Sequence, residues 1–323
     1  MVGRMIGAFA LVSLIGGGLL VNWRAQTMED AALDRWPAVG DFVEVNGTKV
    51  HYLRKGAGPD VVLLHGASGN LRDFTFHLVD RLAMTYRVTA FDRPGLGYTE
   101  RSSEYRGALN TSAETPQEQA ALLAAAAGRL GIERPIVVGH SYGGSVAMAW
   151  ALDHDAAAVV SLAGAIMPWP GGLDLQYRLL GNVVGGALIP PLVTAFLKPM
   201  STGGSVDGIF DPQDMPEGYL MHVGPGLSLR REVIRANGQQ VYGLRPALVE
   251  MSRRYADLAL PVELLHGTAD TIVGLKIHSE AAAEILPDAR LTRLEGVGHM
   301  PQHARPGAVV EAIHRAAERA GLR

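Results

Sequence analysis

Short, largely apolar runs recur along the chain at Val61-Val62-Leu63-Leu64, Arg87–Phe91, Pro135–Val138 and Val159–Leu162, and a strand-like pattern resumes at Val262–Leu265 and Leu291–Leu294. Apolarity that is continuous rather than alternating marks strands covered on both faces. Helical stretches separate them, near Phe74–Ala83, Thr115–Leu130, Tyr142–Leu152, Leu275–Ile285 and Gly307–Ala320. This rhythm predicts an α/β fold, a mostly parallel sheet flanked by helices. Phe42–Val45 and Val50–Leu53, split by Asn46-Gly47, predict an opening hairpin. Between Pro168 and about Leu258 the rhythm stops, and the sequence is rich in Gly, Pro, Leu and Met with no strand-like run. The expected organisation is a core of residues 41–167 and 259–323 interrupted by a helical cap over residues 168–258.

Residues 1–30 stand apart. Met5–Trp23 carries no charge and is bounded by Arg4 and Arg24. As a helix it is about 28 Å long, close to the hydrocarbon thickness of a bilayer. The expectation is an N-terminal apolar helix that anchors the protein to a membrane through residues 5–23. Arg24 and Arg35 are diluted by Glu29, Asp30 and Asp34, which sets the catalytic part on the periplasmic or extracellular side. A cleaved signal peptide and an apolar helix packed on protein are the competing readings; Arg24 stands where a small-residue cleavage site should begin.

Composition narrows the chemistry. With 29 Lys+Arg against 32 Asp+Glu, the formal charge of -3 offers no field for phosphate backbones, so no nucleic acid partner is expected. The absence of cysteine excludes a thiolate nucleophile, a disulfide framework, a zinc knuckle and an iron–sulfur cluster. A small-molecule site remains, for which neither a cofactor nor a metal is invoked.

Gly139-His140-Ser141-Tyr142-Gly143 follows an apolar run and opens a helical stretch. A serine on such a sharp turn needs glycine-sized neighbours two residues either side. Its hydroxyl is un-ionised at neutral pH, so attack on an acyl carbon requires a histidine to take the proton and a carboxylate to orient that histidine. Asp270 lies just past the run Val262–Leu265, and His299 just past Leu291–Leu294. One helix and one strand between them make a right-handed crossover, so neighbouring strands deliver both to the ligand-binding edge of the sheet. Two alternatives stay open: Asp270 as a simple helix cap, and His303 as the base. The oxygen of a tetrahedral intermediate needs donors. The N–H of Tyr142 is one candidate, and Ala67 N–H in His65-Gly66-Ala67-Ser68-Gly69 is the second. His65 is expected to tie that loop in place, and Asp92-Arg93-Pro94-Gly95-Leu96-Gly97 to form a rigid turn beside the site.

These blocks, HGASG at 65–69, DRPGLG at 92–97, GHSYG at 139–143, HGTAD at 266–270 and GVGH at 296–299, occur in an order that resembles the α/β-hydrolase fold superfamily. The resemblance covers Asp41 to the C-terminus apart from the insertion, which is similar to the helical cap over such sites. It implies Ser141 as nucleophile, Asp270 as triad acid, His299 as base, and Ala67 and Tyr142 as oxyanion donors. Members that open epoxides or remove halide carry Asp at the nucleophile position, so Ser141 implies acyl chemistry, hydrolysis of a small-molecule carboxylic ester. The apolar cap residues Leu179, Leu180, Val183, Val184, Leu188, Ile189, Leu192, Val193, Phe196 and Leu197, with Met200, Met215 and Met221, either pack the cap or line a pocket for apolar acyl groups. The alternatives are a carbon–carbon bond hydrolase of meta-cleavage type, with Arg178, Arg230, Arg231 or Arg235 holding a carboxylate, and a non-catalytic hydrolase-like ligand-binding protein.

Overall fold

The computed structural model describes the backbone of residues 2–323 and the side chains from Ile15 onward. Its strands are β1 (Asp41–Val45), β2 (Thr48–Lys55), β3 (Asp60–Leu64), β4 (Arg87–Phe91), β5 (Ile136–His140), β6 (Ala158–Leu162), β7 (Val262–Gly267) and β8 (Ala289–Leu294). They form one sheet in the order β1-β2-β4-β3-β5-β6-β7-β8. The hairpin β1–β2 joins β4 antiparallel, and every pairing from β4 across to β8 is parallel. The long helices are α1 (Val2–Arg35), α2 (Pro116–Arg129), α3 (Tyr142–Asp153), α4 (Leu175–Leu180), α5 (Val183–Phe196), α6 (Arg231–Ser252) and α7 (Pro306–Arg319).

Two apolar layers bury the sheet, as continuous apolar strands require. On one face α2 and α3 supply Leu123, Val146 and Trp150. On the other α7 supplies Val309, Ile313 and Ala316, with Phe74 and Leu78. α2 begins in a full capping box, Thr115 accepting from Glu118 N–H while the Glu118 carboxylate accepts from Thr115 N–H. β7 carries a fully buried carboxylate, Glu263, held by Arg315 at 2.9 Å and Arg319 at 2.6 Å from α7.

Two helical stretches are less regular than the sequence suggests. The expected helix near Phe74–Ala83 is two short ones, Arg72–Thr75 and Leu78–Leu82, broken where the Phe76 ring packs edge-on against Tyr219. Residues Lys276–Glu280 form a π-helical turn before Ala281–Ile285. The extra residue turns His278 and Ser279 inward, where His278 Nδ1 accepts from Met167 N–H and Ser279 Oγ meets His266.

Between β6 and β7 the regular elements are all helices joined by loops, with no strand among the described residues. α1 packs on this insertion and runs to Arg35, beyond the expected end of the N-terminal segment at residue 30. Ala25, Ala32 and Trp36 are buried. Arg24 donates to Ala195 O at 2.7 Å, Glu29 accepts from Arg231 Nη2 at 2.6 Å and Nε at 3.0 Å, and Trp36 Nε1 donates to Met221 O at 2.8 Å. The transmembrane helix expected at 5–23 is described only in part. Residues 5–14 lie outside the described side chains, and among the described residues no single helix is long and apolar enough to cross a membrane.

Trp36 is therefore the pin between α1 and the insertion. Trp36→Ala is expected to cost about 3 kcal/mol in urea unfolding, as large-to-small changes at buried aromatics do, and to open α1 to trypsin at Arg24. Unchanged stability and proteolysis would contradict this packing.

Candidate active site

The turn from β5 into α3 sets the site. Ser141 sits at φ 52°, ψ -119°, a conformation few residues with a side chain adopt. Strand and helix close around it so tightly that a Cβ on Gly139 would lie 2.1 Å from Gly143 O, and one on Gly143 2.1 Å from Leu64 O. Glycine is obligatory at both places. The bent backbone is tied by Ser141 N–H to Leu162 O at 3.0 Å and by Ala165 N–H to Ser141 O at 3.0 Å.

Asp270 follows β7 and is almost completely buried. Its Oδ1 accepts from the backbone N–H groups of Ile272 at 2.9 Å and Val273 at 3.0 Å. Its Oδ2 accepts from His299 Nδ1 at 2.8 Å and from His266 Nε2 at 3.1 Å. Burial alone would raise its pKa, but the bonds from His266 and His299 and the charge of His299 hold the carboxyl well below the usual carboxylate range. His266 is locked in turn, its Nδ1 meeting Ser279 Oγ at 2.7 Å and its Nε2 donating to Val273 O at 2.7 Å.

His299 follows β8, and both it and Ser141 open on one cavity of about 660 Å³ between the sheet edge and the insertion. No hydrogen bond joins Ser141 Oγ to His299 in this structure; such bonds commonly tighten only when substrate is held. His303 is elsewhere. Its Nε2 meets Asp73 Oδ1 at 2.7 Å, and Asp73 also accepts from Tyr219 OH at 2.7 Å and Gln302 Nε2 at 3.0 Å. The competing base is thus committed to a second carboxylate.

The loop 65–69 lies against the serine. Burial, then the charge of Arg93, lowers His65 to about 4, so the ring is neutral. Its Nδ1–H donates to Gly66 O at 2.9 Å and its Nε2 accepts from Arg93 N–H at 3.0 Å. The buried Arg93 guanidinium binds His65 O at 2.9 Å and Gly66 O at 3.1 Å from below. From above, α6 supplies Asn237, whose Oδ1 accepts from Ser68 N–H at 2.7 Å and whose Nδ2 donates to Ser68 Oγ at 2.9 Å. Ser68 is itself at φ 56°. Among the described residues the N–H groups of Ala67 and Tyr142 have no acceptor, so both are available to a bound anion.

Arg93, Asn237, His266 and Asp73 were not singled out as parts of the site by the sequence pattern. The residues they hold lie up to 230 positions away, beyond any local signal. The cap arginines do not gather at the site. Arg178 is exposed, Arg230 stacks over Tyr98, Arg231 binds Glu29 and Arg235 binds Gly186 O. None lines the cavity, whose walls carry one carboxylate, Asp73, and neither Lys nor Arg.

A profile described as the alpha/beta hydrolase family matches residues 61–312. The chain is similar to the dihydrolipoyllysine-residue acetyltransferase component of an acetoin cleaving system from Cupriavidus necator, 29% identical over 279 residues that span 85% of this chain and 68% of that one. In structure it is similar to a thermophilic esterase from Thermogutta terrifontis, with a TM-score of 0.68 at 20% identity, covering 87% of this chain and 99% of that one. It is also similar to a bacterial membrane phospholipase A, with a TM-score of 0.64 at 18% identity over 100% of this chain and 99% of that one.

His65 and His140 are both lowered to about 4, chiefly by burial. The unfolded chain binds protons there below about pH 6.5, whereas the folded chain does not, so stability falls as pH drops from about 6.5 to about 4. Urea unfolding at about pH 4.5 is expected to show a loss on the order of 3 kcal/mol per imidazole relative to pH 7. A flat profile across this window would contradict neutral burial.

Proposed function

The chain belongs to the alpha/beta hydrolase family, and on that footing we propose that it is a serine hydrolase of carboxylic esters with apolar acyl groups. The observation that carries the reading is the carboxylate–imidazole pair Asp270–His299, bonded at 2.8 Å, on the same cavity as a strained serine. Because Asp270 accepts a hydrogen bond from Nδ1–H, His299 presents Nε2 as an acceptor. Ser141 Oγ attacks the acyl carbon while Nε2 takes its proton. The developing oxyanion is met by the N–H groups of Ala67 and Tyr142. His299 then protonates the departing alcohol, and water repeats the sequence on the acyl-enzyme.

The cavity supports the substrate class. Leu179, Leu180, Ile189 and Val193 line it, while Asp73 is the sole charged group there. A carboxylate-bearing acyl chain would enter a desolvated space beside a like charge, with no cation to meet it. This same point disfavours a carbon–carbon bond hydrolase of diketone acids, because the arginines it needs are engaged or exposed outside the cavity. A non-catalytic binding protein is distinguished by turnover.

Multiple turnover of a neutral aryl ester is expected, and Ser141→Ala is expected to lower kcat by about 10⁴ or more with the fold intact. Persistence of turnover in that variant would overturn the assignment. Neutral acyl chains should exceed equally long chains ending in carboxylate by at least about tenfold in kcat/KM, or about 1.4 kcal/mol; the reverse preference would favour the diketone-acid reading. Asn237→Ala is expected to reduce kcat by about tenfold or more with little change in KM, since it loosens the loop that presents Ala67 rather than a contact to the ground state. A change confined to KM would instead make Asn237 a substrate-binding residue.

A further inference from the structure

The apolar residues of α5 divide between two faces. Ile189 and Val193 line the cavity. Val184, Leu188, Leu192 and Phe196, four residues apart, are exposed by 67%, 60%, 48% and 58% on the opposite side. Packing the cap on the core therefore does not account for this stripe. α1 lies against α5 and extends the same apolar surface with Ile15, Leu19, Leu20 and Trp23, the last 65% exposed.

Residues 15–20 of α1 are all exposed and contain no charged or polar side chain. A helix apolar all round is stable only when surrounded by apolar material, and a flat protein partner covers one side of it. The interface of a bilayer takes up more than one side of it without a matching partner surface. The edge of the surface has the chemistry of a membrane boundary: Trp23 is exposed, Arg24 stacks over the Phe196 ring at 5.4 Å, and Lys198 is exposed just past α5. α5 spans about 21 Å, too short to cross the hydrocarbon but suited to lie in its surface.

We propose that the outward face of α5 and residues 15–23 of α1 rest in the surface of a phospholipid bilayer, and that the cavity draws its acyl ester from that bilayer. The docking surface stands on the exposed residues alone; the second half rests on the hydrolase reading. An acyl chain leaving the membrane passes the inner residues of the same helix, Ile189 and Val193, on its way to Ser141. The cations at the rim favour anionic headgroups.

The chain has no cysteine, so one introduced at Leu188 takes an environment-sensitive fluorophore at that site alone. Leu188→Cys in the full chain, labelled and mixed with phosphatidylcholine vesicles with or without phosphatidylglycerol, is expected to shift to the blue and brighten several-fold, more so with phosphatidylglycerol. The label on Met84→Cys, which precedes β4 at the far edge of the sheet, is expected not to respond. In Leu188→Glu/Leu192→Glu, vesicle flotation and hydrolysis of a vesicle-borne acyl ester should each fall by about tenfold or more, while turnover of a water-soluble aryl ester stays within about twofold and so reports an intact fold. Vesicle flotation unaffected by the double substitution would overturn the proposal. So would a Leu188→Cys label blind to vesicles, or an unlabelled Leu188→Cys that forms a disulfide with a second copy under mild oxidant in their absence, which would make the face an interface between copies. If the label inserts but neither ester is cleaved by the unsubstituted protein, the docking surface stands and the hydrolase reading falls.

Discussion

Where β5 passes into α3 there is room for backbone and nothing else. The chain reverses within one residue, strand against helix, and a single methyl on Gly139 or Gly143 would collide with a carbonyl at 2.1 Å. This forces Ser141 to φ 52°, lifting its side chain clear of the sheet edge and leaving the first N–H of α3 without an acceptor. Presentation of the serine to the cavity and provision of an anion-binding donor are two results of one crowded turn. Strain of this sort costs on the order of 1–3 kcal/mol and persists only where the surroundings over-determine it. Here they do, through Leu162 O and Ala165 N–H.

Around that turn, buried polar groups are arranged so that few are left unpaired. Asp270 has four donors, and the histidine it orients is backed by His140, whose Nε2 meets His299 O at 2.9 Å. His140 is neutral, lowered to about 4 by burial and by the nearby charge of His299, so it adds no competing cation. Arg93 is held around 10, burial pulling it down, yet stays charged at neutral pH, and it spends that charge on the carbonyls of the 65–69 loop. The result is a site whose fixed charges are paired below the cavity floor, while the cavity keeps a carboxylate and apolar walls. That distribution favours neutral esters over anionic ones.

Much of this was legible in the residues. Apolar runs located the central parallel strands, because burial on both faces leaves no alternation to confuse, whereas the half-exposed edge strand β8 was placed by the rhythm of strand and helix. Ser141, Asp270 and His299 stood out because each follows a strand, and the topology brings strand ends to one edge. What escaped notice depends on pairings across the chain. Asn237, Gln239 and Gln240 form a polar rib on α6 that docks the insertion on the core. Gln240 meets Pro94 O at 2.8 Å, Gln239 receives Arg101 at 2.8 Å, and Asn237 holds Ser68; in sequence they are ordinary helical amides. The docking of α1 was hidden for a related reason. Ala25, Ala32 and Trp36 lie in its charged half, where polar neighbours mask an apolar stripe. The apolar cap residues left packing and pocket-lining both open, and they divide between cavity and solvent, a division that only the rotation of α5 decides.

The account turns on Ser141 being the residue that Asp270 and His299 serve. Stoichiometric reaction with a fluorophosphonate, followed by peptide mapping, tests this most directly. A single phosphonylated site at Ser141 is predicted, with labelling at least about a hundredfold slower in His299→Asn because the proton acceptor is gone. A label on another residue, or equal labelling in His299→Asn, would contradict it.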